Sequence, residues 1–132
     1  MSAENVEIVR RGYEHFAKTG EVLEELMGPG FVWDMSTFRG WPERQTYEGI
    51  DGTREFLANW SSAWEVWRLE VVDIKDAGDE VVAILHQSGT SKTTGLEVDM
   101  DFAQIWTIEG GKQVRSRIYA DPEEALRAAG LG

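Results

Sequence analysis

The sequence has no cysteine, and only 3 of its 132 residues are proline. The absence of cysteine excludes a disulfide framework and a thiolate site, which fits a cytoplasmic protein. No apolar run approaches the roughly 20 residues that a transmembrane helix needs. The first residues, MSAENVEIVRRGYEHF, contain acids and no unbroken apolar stretch, unlike a secretory signal. We therefore expect a cytoplasmic protein that does not associate with a membrane.

Basic residues are also few, with 13 Lys and Arg against 24 Asp and Glu, so the net charge is −11. The arginines are scattered, and no basic block is present that would bind a nucleic-acid backbone or an anionic membrane surface. The two histidines fall on different predicted elements, no acid cluster has metal-ligand spacing, and EGGK is a hairpin turn rather than a phosphate loop. We expect no metal, cofactor or nucleic-acid partner.

The chain length and a hydrophobic content of 42% fit one domain, residues 1–132, with a single core. Apolar residues at spacings of three and four predict helices over 5–18, 21–27 and 52–66. A short strand over 31–35 lies between the second and third helices. After residue 66 the period changes to two and predicts four strands joined by hairpin turns, followed by a last helix that begins at Asp121-Pro122. Helices followed by an antiparallel meander indicate an α+β fold.

The order of these elements, with several local strings, resembles the SnoaL-like family of the NTF2-like superfamily. The strings are VEIVRRGYEHFAKTGEVLEELMGPGFVWD, YEGIDGTREFLANW, VVDIKDAGDEVVAILH and FAQIWTIEGGKQVRSRIYADPEEAL. The resemblance implies an NTF2-like cone, in which three N-terminal helices pack on a strongly curved, mostly antiparallel sheet with a short C-terminal helix. It also implies a homodimer, because members of the family are often dimeric. Polyketide cyclases, ketosteroid isomerase, limonene epoxide hydrolase, dehydratases and non-catalytic carriers share the superfamily, so function has to be argued from the cavity.

A histidine and an aspartate lie deep in two neighbouring strands. If residues 92–95 form a four-residue connection, Ser91 faces Leu96 and His86 faces Asp101, with Cβ atoms about 4.5–5.5 Å apart. A carboxylate beside an imidazole fixes its tautomer and supports the imidazolium. We interpret His86 as a candidate general acid/base that Asp101 orients.

Counted in the same way from Glu109 opposite Lys112, the next hairpin places Ala103 opposite Ile118. The sheet then has two faces that compete to line the cavity. The first carries small and aliphatic residues with the His86–Asp101 pair, and the second carries bulky aromatic residues. Positions matching Ala103 and Ile118 point inward in the superfamily, so we assign the cavity to the first face and include Ile84 in its wall. The second face, with Phe102, Trp106 and Tyr119, then becomes the homodimer surface. A shift of one residue in register would exchange the two assignments.

Further cavity residues come from the helices and the first strand. The resemblance places Tyr13 where the isomerase branch has a tyrosine that donates to a substrate oxyanion, although a core role competes. The family's acid positions fall near Met35 and at Ile118 here, which argues against those relatives' chemistry. Aromatic walls suit a flat, apolar ligand, and the segment 36–50, with Trp41, is interpreted as a lid. The predicted aromatic wall residues are Trp33, Tyr47, Phe56, Trp60 and Trp64.

Three polar residues are interpreted as structural. Asp34 alternates with Trp33 and should point away from the cavity, toward an arginine. Arg117 and Asp121, which recur in the family as R-x-Y-x-D, are expected to hold the fold through ion pairs.

Three functions therefore stay open. The first is a cofactor-independent cyclase, isomerase or hydrolase acting on a polyketide-like or aromatic molecule. The second is a non-catalytic binding protein for a hydrophobic metabolite, and the third is a structural dimer with a vestigial cavity. A small hydrophobic or aromatic ligand is expected in the first two.

Overall fold

The computed structural model describes residues 2–38 and 46–131. Its elements in chain order are α1 (Ser2–Thr19), a 3-10 turn (Glu24–Leu26), β1 (Met27–Asp34), β2 (Thr46–Glu48), α2 (Gly49–Ser61), β3 (Trp64–Ala77), β4 (Glu80–Ser91), β5 (Glu97–Glu109), β6 (Lys112–Tyr119) and α3 (Pro122–Ala128). The strands form one curved, open sheet in the order β2-β1-β6-β5-β4-β3. Among the strands of the described residues, only β1 and β6 pair in parallel. The predicted α+β cone is confirmed. No helix in the described ranges is both long and apolar enough to cross a bilayer.

The N-terminal helices differ in extent from the prediction. Helix α1 ends as expected at Gly20, which has φ +74° and whose N–H donates to the carbonyl of Phe16. The predicted second helix is only the 3-10 turn, because Met27 already begins β1. The predicted third helix stops at Ser61, and Trp64 starts β3 instead of continuing the helical face.

The β4–β5 hairpin follows the predicted register. Ser91 N–H donates to the carbonyl of Leu96 at 3.0 Å, and the pairs include His86 with Asp101 and Ile84 with Ala103. The β5–β6 hairpin begins as predicted, with Glu109 opposite Lys112. A bulge between Thr107 and Ile108 then shifts the pairing by one residue. The register predicted for the rest of β6 is therefore wrong.

The two faces of the sheet bury different clusters. The face that α1 and α2 cover, called the inner face, carries the larger core, whose buried members include Val9, Phe31, Trp33, Phe56, Leu85, Phe102, Trp106 and Ile118. The opposite face, called the outer face, is covered in part by α3. Its smaller cluster contains Val82, Ala103, Ile105, Tyr119 and Ala125. The bulky residues of β4 and β5 therefore pack beneath α1 and α2.

The C-terminal helix begins as predicted. Asp121 is its N-cap, and its carboxylate accepts the N–H of Glu123 at 3.0 Å, with Pro122 at the first helical position. Arg117 pairs with Glu80 at 2.6 Å across the sheet. The structural roles inferred for Arg117 and Asp121 agree with these contacts, although Asp121 acts as a helix cap rather than an ion-pair partner.

Candidate functional site

A cavity of about 100 Å³ lies between the inner face of the sheet, α1 and α2. Its wall is almost entirely apolar and aromatic. The described residues that line it from the sheet include Phe31, Trp33, Leu85, Gln87, Met100, Phe102, Gln104, Trp106 and Ile118, and those from the helices include Val9, Tyr13, Phe16, Phe56, Leu57 and Trp60. No Asp, Glu, His, Lys or Arg is among the described lining residues.

A groove on the surface between α1, α2 and β3 adjoins the cavity. Six residues line both spaces: Tyr13, Phe16, Val22, Leu57, Trp67 and Leu69. Phe16 and Trp67 meet there edge to face, with ring centroids 5.7 Å apart. Charged residues, including Arg10, Glu14 and Arg54, line only the groove. A ligand that leaves the apolar cavity through the groove thus passes from an aromatic to a charged environment.

The aromatic wall is a connected set of ring contacts. Trp33 stacks on Phe56 with centroids 4.9 Å apart, and Phe56 in turn stacks on Trp60 at 6.1 Å. Trp106 meets Trp33 edge to face at 6.1 Å. Such pairs add stability beyond the area that they bury, so the wall is a largely preformed surface for a flat apolar group.

Two of the predicted wall residues lie behind this surface. Tyr47 is buried against Phe56, with centroids 5.5 Å apart, and is absent from the cavity lining. Trp64 lies at the start of β3 beside Trp60, where it crosses Gly89 so closely that a Cβ at Gly89 would come within 2.9 Å of its ring. The prediction misplaced Trp64 because it continued the helix five residues beyond Ser61, the end of α2. Trp41 and the centre of the predicted lid lie outside the described residues.

The tyrosine on α1 closes a polar network within the wall. The Tyr13 hydroxyl donates to Gln104 Oε1 at 2.6 Å and accepts from Trp106 Nε1 at 2.9 Å. Gln104 Nε2 donates to Ser116 Oγ at 2.7 Å. Burial raises the pKa of Tyr13, against a smaller opposing effect from the Trp106 hydrogen bond. Tyr13 is therefore a neutral phenol at physiological pH, and its one proton is already committed to Gln104.

The histidine and aspartate meet, but on the outer face. His86 Nδ1 lies 2.7 Å from Asp101 Oδ1 and His86 Nε2 lies 3.1 Å from Asp99 Oδ1. The side chains of His86 and Asp101 are 33% and 69% exposed, and neither lines the cavity. Both ring nitrogens face carboxylates, so the imidazolium form is favoured and neither nitrogen is free to take a proton from a ligand. The predicted cavity dyad is therefore corrected to an ion cluster on the outer face.

The same exchange of faces, together with the β5–β6 bulge, corrects the predictions for five other residues. Ile84 and Ala103 lie on the outer face, where Ala103 is fully buried in the cluster beneath α3. Phe102 and Trp106 line the cavity, so they are not available as a homodimer surface. Tyr119 packs in the cluster under α3. Ile118 does line the cavity, because the β5–β6 bulge brings it opposite Gln104 instead of Ala103.

The outer-face cluster predicts a titration that can be observed directly. The hydrogen bonds to Asp101 and then Asp99 raise the pKa of His86 above its ordinary value. The raised pKa means that this cluster stabilises the fold below the ordinary histidine pKa of about 6.5, and that the contribution is lost as the pH rises through the folded pKa. An NMR titration should show His86 losing its proton at a higher pH than a free histidine. The pKa should fall clearly in Asp101→Asn and by less in Asp99→Asn.

His15 on α1 provides an internal reference signal in each spectrum. An unchanged His86 titration in Asp101→Asn would contradict the contact.

The comparisons with known proteins agree with this architecture. A model of the SnoaL-like domain matches residues 9–116. The chain belongs to the SnoaL-like domain family. No curated protein matches the sequence significantly.

Several solved structures are similar to this SnoaL-like domain. TerC, co-crystallised with polyporic acid, is 23% identical with a TM-score of 0.74, over 96% of this chain and 98% of that one. An NTF2-like protein of unknown function from Burkholderia pseudomallei is 21% identical with a TM-score of 0.74, over 94% and 95%. A putative SnoaL-like polyketide cyclase from Jannaschia sp. CCS1 is 22% identical with a TM-score of 0.70, over 99% and 94%. These likenesses show the fold.

Several residues of the SnoaL-like cavity were not predicted, above all Gln87 and Gln104. Gln104 lies between Phe102 and Trp106 on its face of β5, and Gln87 follows Leu85 on the same face of β4. The available signal was bulk on β5: Phe102 and Trp106 have more apolar area to bury than Ala103 and Ile105, and hydrophobic stabilisation scales with that area. The face with the larger side chains is therefore the one that packs under the helices.

Proposed function

We propose that this protein binds a small, uncharged aromatic molecule in the cavity under α1 and α2. The observation that carries the proposal is a wall of stacked aromatic rings with no charged or histidine side chain among its described residues. An apolar, largely preformed pocket with a few fixed polar groups is the usual environment of such a ligand. The similar protein TerC was co-crystallised with polyporic acid, which supports an organic ligand for a protein of this fold.

The size of the cavity limits the ligand. About 100 Å³ is below the roughly 300–1,000 Å³ of pockets for drug-sized ligands, whereas an engineered cavity of about 150 Å³ accepts benzene. The enclosed part therefore suits a single aromatic ring, and a larger ligand would extend into the groove between α1, α2 and β3. Met27, Met35 and Met100 line the cavity, and their flexible side chains allow it to adapt to the ring.

The binding role is favoured over acid/base catalysis by the positions of the titratable groups. His86 and Asp101 lie on the other side of the sheet, and Tyr13 is a neutral phenol committed to Gln104. A proton-transfer enzyme needs a titratable group within hydrogen-bond reach of its substrate. Among the described lining residues, none other than Tyr13 titrates. Retention of an aromatic molecule is thus the function that these side chains support best.

The proposal is tested by titrating the protein with α-methylstyrene and indene while following tryptophan fluorescence. Wild type should bind saturably. Binding should change the tryptophan fluorescence, because Trp33, Trp60, Trp67 and Trp106 all line the cavity. Leu57 lines both cavity and groove and is only partly buried, so Leu57→Trp should narrow the passage and weaken binding at least tenfold.

The matched control is His86→Gln on the outer face, which should bind like wild type. Absence of saturable binding to wild type, or equal affinity in Leu57→Trp, would contradict the proposal.

A further inference from the structure

One buried amide in the cavity wall is only half satisfied. Gln87 lies on the inner face of β4 with 2% of its surface exposed, and it lines the cavity. Its Oε1 accepts hydrogen bonds from two indoles, Trp67 Nε1 at 2.9 Å and Trp60 Nε1 at 3.2 Å. Its Nε2 is buried and has no hydrogen-bond partner among the described residues.

The two indoles fix the orientation of this amide. An indole N–H is a donor only, so turning the amide over would place the NH₂ group of Gln87 against two donors. Nε2 is therefore held on the side away from Trp60 and Trp67. Leaving a buried donor unpaired costs roughly 1–3 kcal/mol, which a folded protein normally avoids.

Gln104, another glutamine of the wall, shows the hydrogen bonding of an amide that the protein satisfies by itself. Gln104 Oε1 accepts from Tyr13, and Gln104 Nε2 donates to Ser116. Both ends of Gln104 are thus satisfied by the protein. Gln87 differs only in its NH₂ group, which makes it the candidate for contact with a ligand.

We propose that Gln87 Nε2 donates a hydrogen bond to the oxygen of an aromatic carbonyl compound, such as an aryl ketone or aldehyde. This inference rests on the proposed function and specifies the ligand class. A carbonyl oxygen is an acceptor only, which complements an unpaired donor. A carboxylate would carry a charge into a wall with no cation among its described residues, and that desolvation is costly. Neighbouring atoms cover Nε2. The carbonyl oxygen therefore reaches Nε2 only when the flexible methionine side chains of the wall move to fit the bound ring.

A pair of ligands with the same shape isolates this hydrogen bond. Acetophenone and α-methylstyrene differ only in C=O against C=CH₂. The ratio of their dissociation constants is measured for wild type and for Gln87→Met, which keeps the side-chain length and removes the donor. The preference for acetophenone should fall about three- to tenfold in Gln87→Met, the value of one net hydrogen bond. Because the result is a ratio of ratios, the different solubilities of the two ligands in water cancel.

The matched control is Thr53→Val. Thr53 lines the same cavity, but its hydroxyl already donates to the carbonyl of Gly49 at 3.0 Å, so the ratio should stay at the wild-type value.

A second readout needs no variant. The C=O stretch of ¹³C-labelled acetophenone bound to wild type should lie below its frequency in hexane, because accepting a hydrogen bond weakens the bond. This infrared measurement decides the question if Gln87→Met does not fold.

The outcomes separate the two proposals. If both ligands bind wild type but the ratio is unchanged in Gln87→Met, or the stretch equals that in hexane, Gln87 is not the anchor and the binding function stands. If neither ligand binds wild type, the binding function and the anchor are both overturned.

Discussion

An Arg115→Met variant is expected to lose roughly 1–3 kcal/mol of unfolding free energy, the cost of leaving a buried carboxylate short of a hydrogen-bond partner. Asp34 is the buried member of this pair, with a side chain only 3% exposed. Its carboxylate accepts from the Arg115 guanidinium and from the N–H of Ser36 at 2.8 Å. Methionine keeps much of the apolar stem of Arg115, so the loss of stability reflects the removal of the charge. Urea unfolding at pH 7 measures the difference in unfolding free energy between the variant and wild type.

The pH dependence of this loss identifies its cause. Burial opposes ionisation of Asp34, yet the hydrogen bonds from Ser36 and Arg115 outweigh it and lower the pKa of the carboxyl. In wild type this contribution is complete above the ordinary aspartate pKa of about 3.9, and it is lost as the pH falls through the lower folded pKa. In Arg115→Met, the Arg115 hydrogen bond and charge no longer lower the pKa of Asp34, so this pKa should lie above its wild-type value and protonation relieves the penalty at a higher pH. The difference between variant and wild type should therefore shrink as the pH falls.

Arg117 on the same strand provides the control for charge removal alone. It pairs with Glu80, and both side chains reach solvent, with exposures of 21% and 29%. Arg117→Met should cost about 1 kcal/mol or less. Equal losses in Arg115→Met and Arg117→Met would show that burial of Asp34 does not govern the effect.

The direction of the Asp34 side chain, toward an arginine, was predictable because side chains alternate between the two faces of a strand and its neighbour Trp33 faces the core. The β4–β5 register was predictable as well, since residues 92–95 are polar and Gly95 can adopt its φ of +72°. These predictions depended on local rules, namely the period of a strand and the length of a turn. Both are readable from a single sequence.

The face that lines the cavity was not readable in the same way. A small residue such as Ala103 can leave room for a ligand or for a helix, and the sequence near it does not say which. The C-terminal helix decides the matter, because Ala125 packs against Ala103 and Ile105 from a distant part of the chain. The β5–β6 bulge is equally non-local in effect, since one extra residue moves Ile118 to the opposite face from Ala103.

An Ala103→Leu variant tests whether the small side chain at this position leaves room for a helix or for a ligand. In the structure Ala103 is fully buried beneath α3, so Ala103→Leu should overpack this contact and cost roughly 1–3 kcal/mol. Proteolysis and amide hydrogen exchange should show α3 loosened first, because its cluster is smaller than the inner core. Ligand binding should survive, since the cavity lies on the other face of the sheet.

Ser88→Leu is the control for this substitution, because Ser88 lies on the same strand face as Ile84, beyond the cluster that α3 covers. It should leave α3 protected and cost little. A stable Ala103→Leu variant that has lost aromatic binding would instead place residue 103 in the ligand cavity. The size of a side chain at this position thus decides between room made for a helix and room made for a ligand.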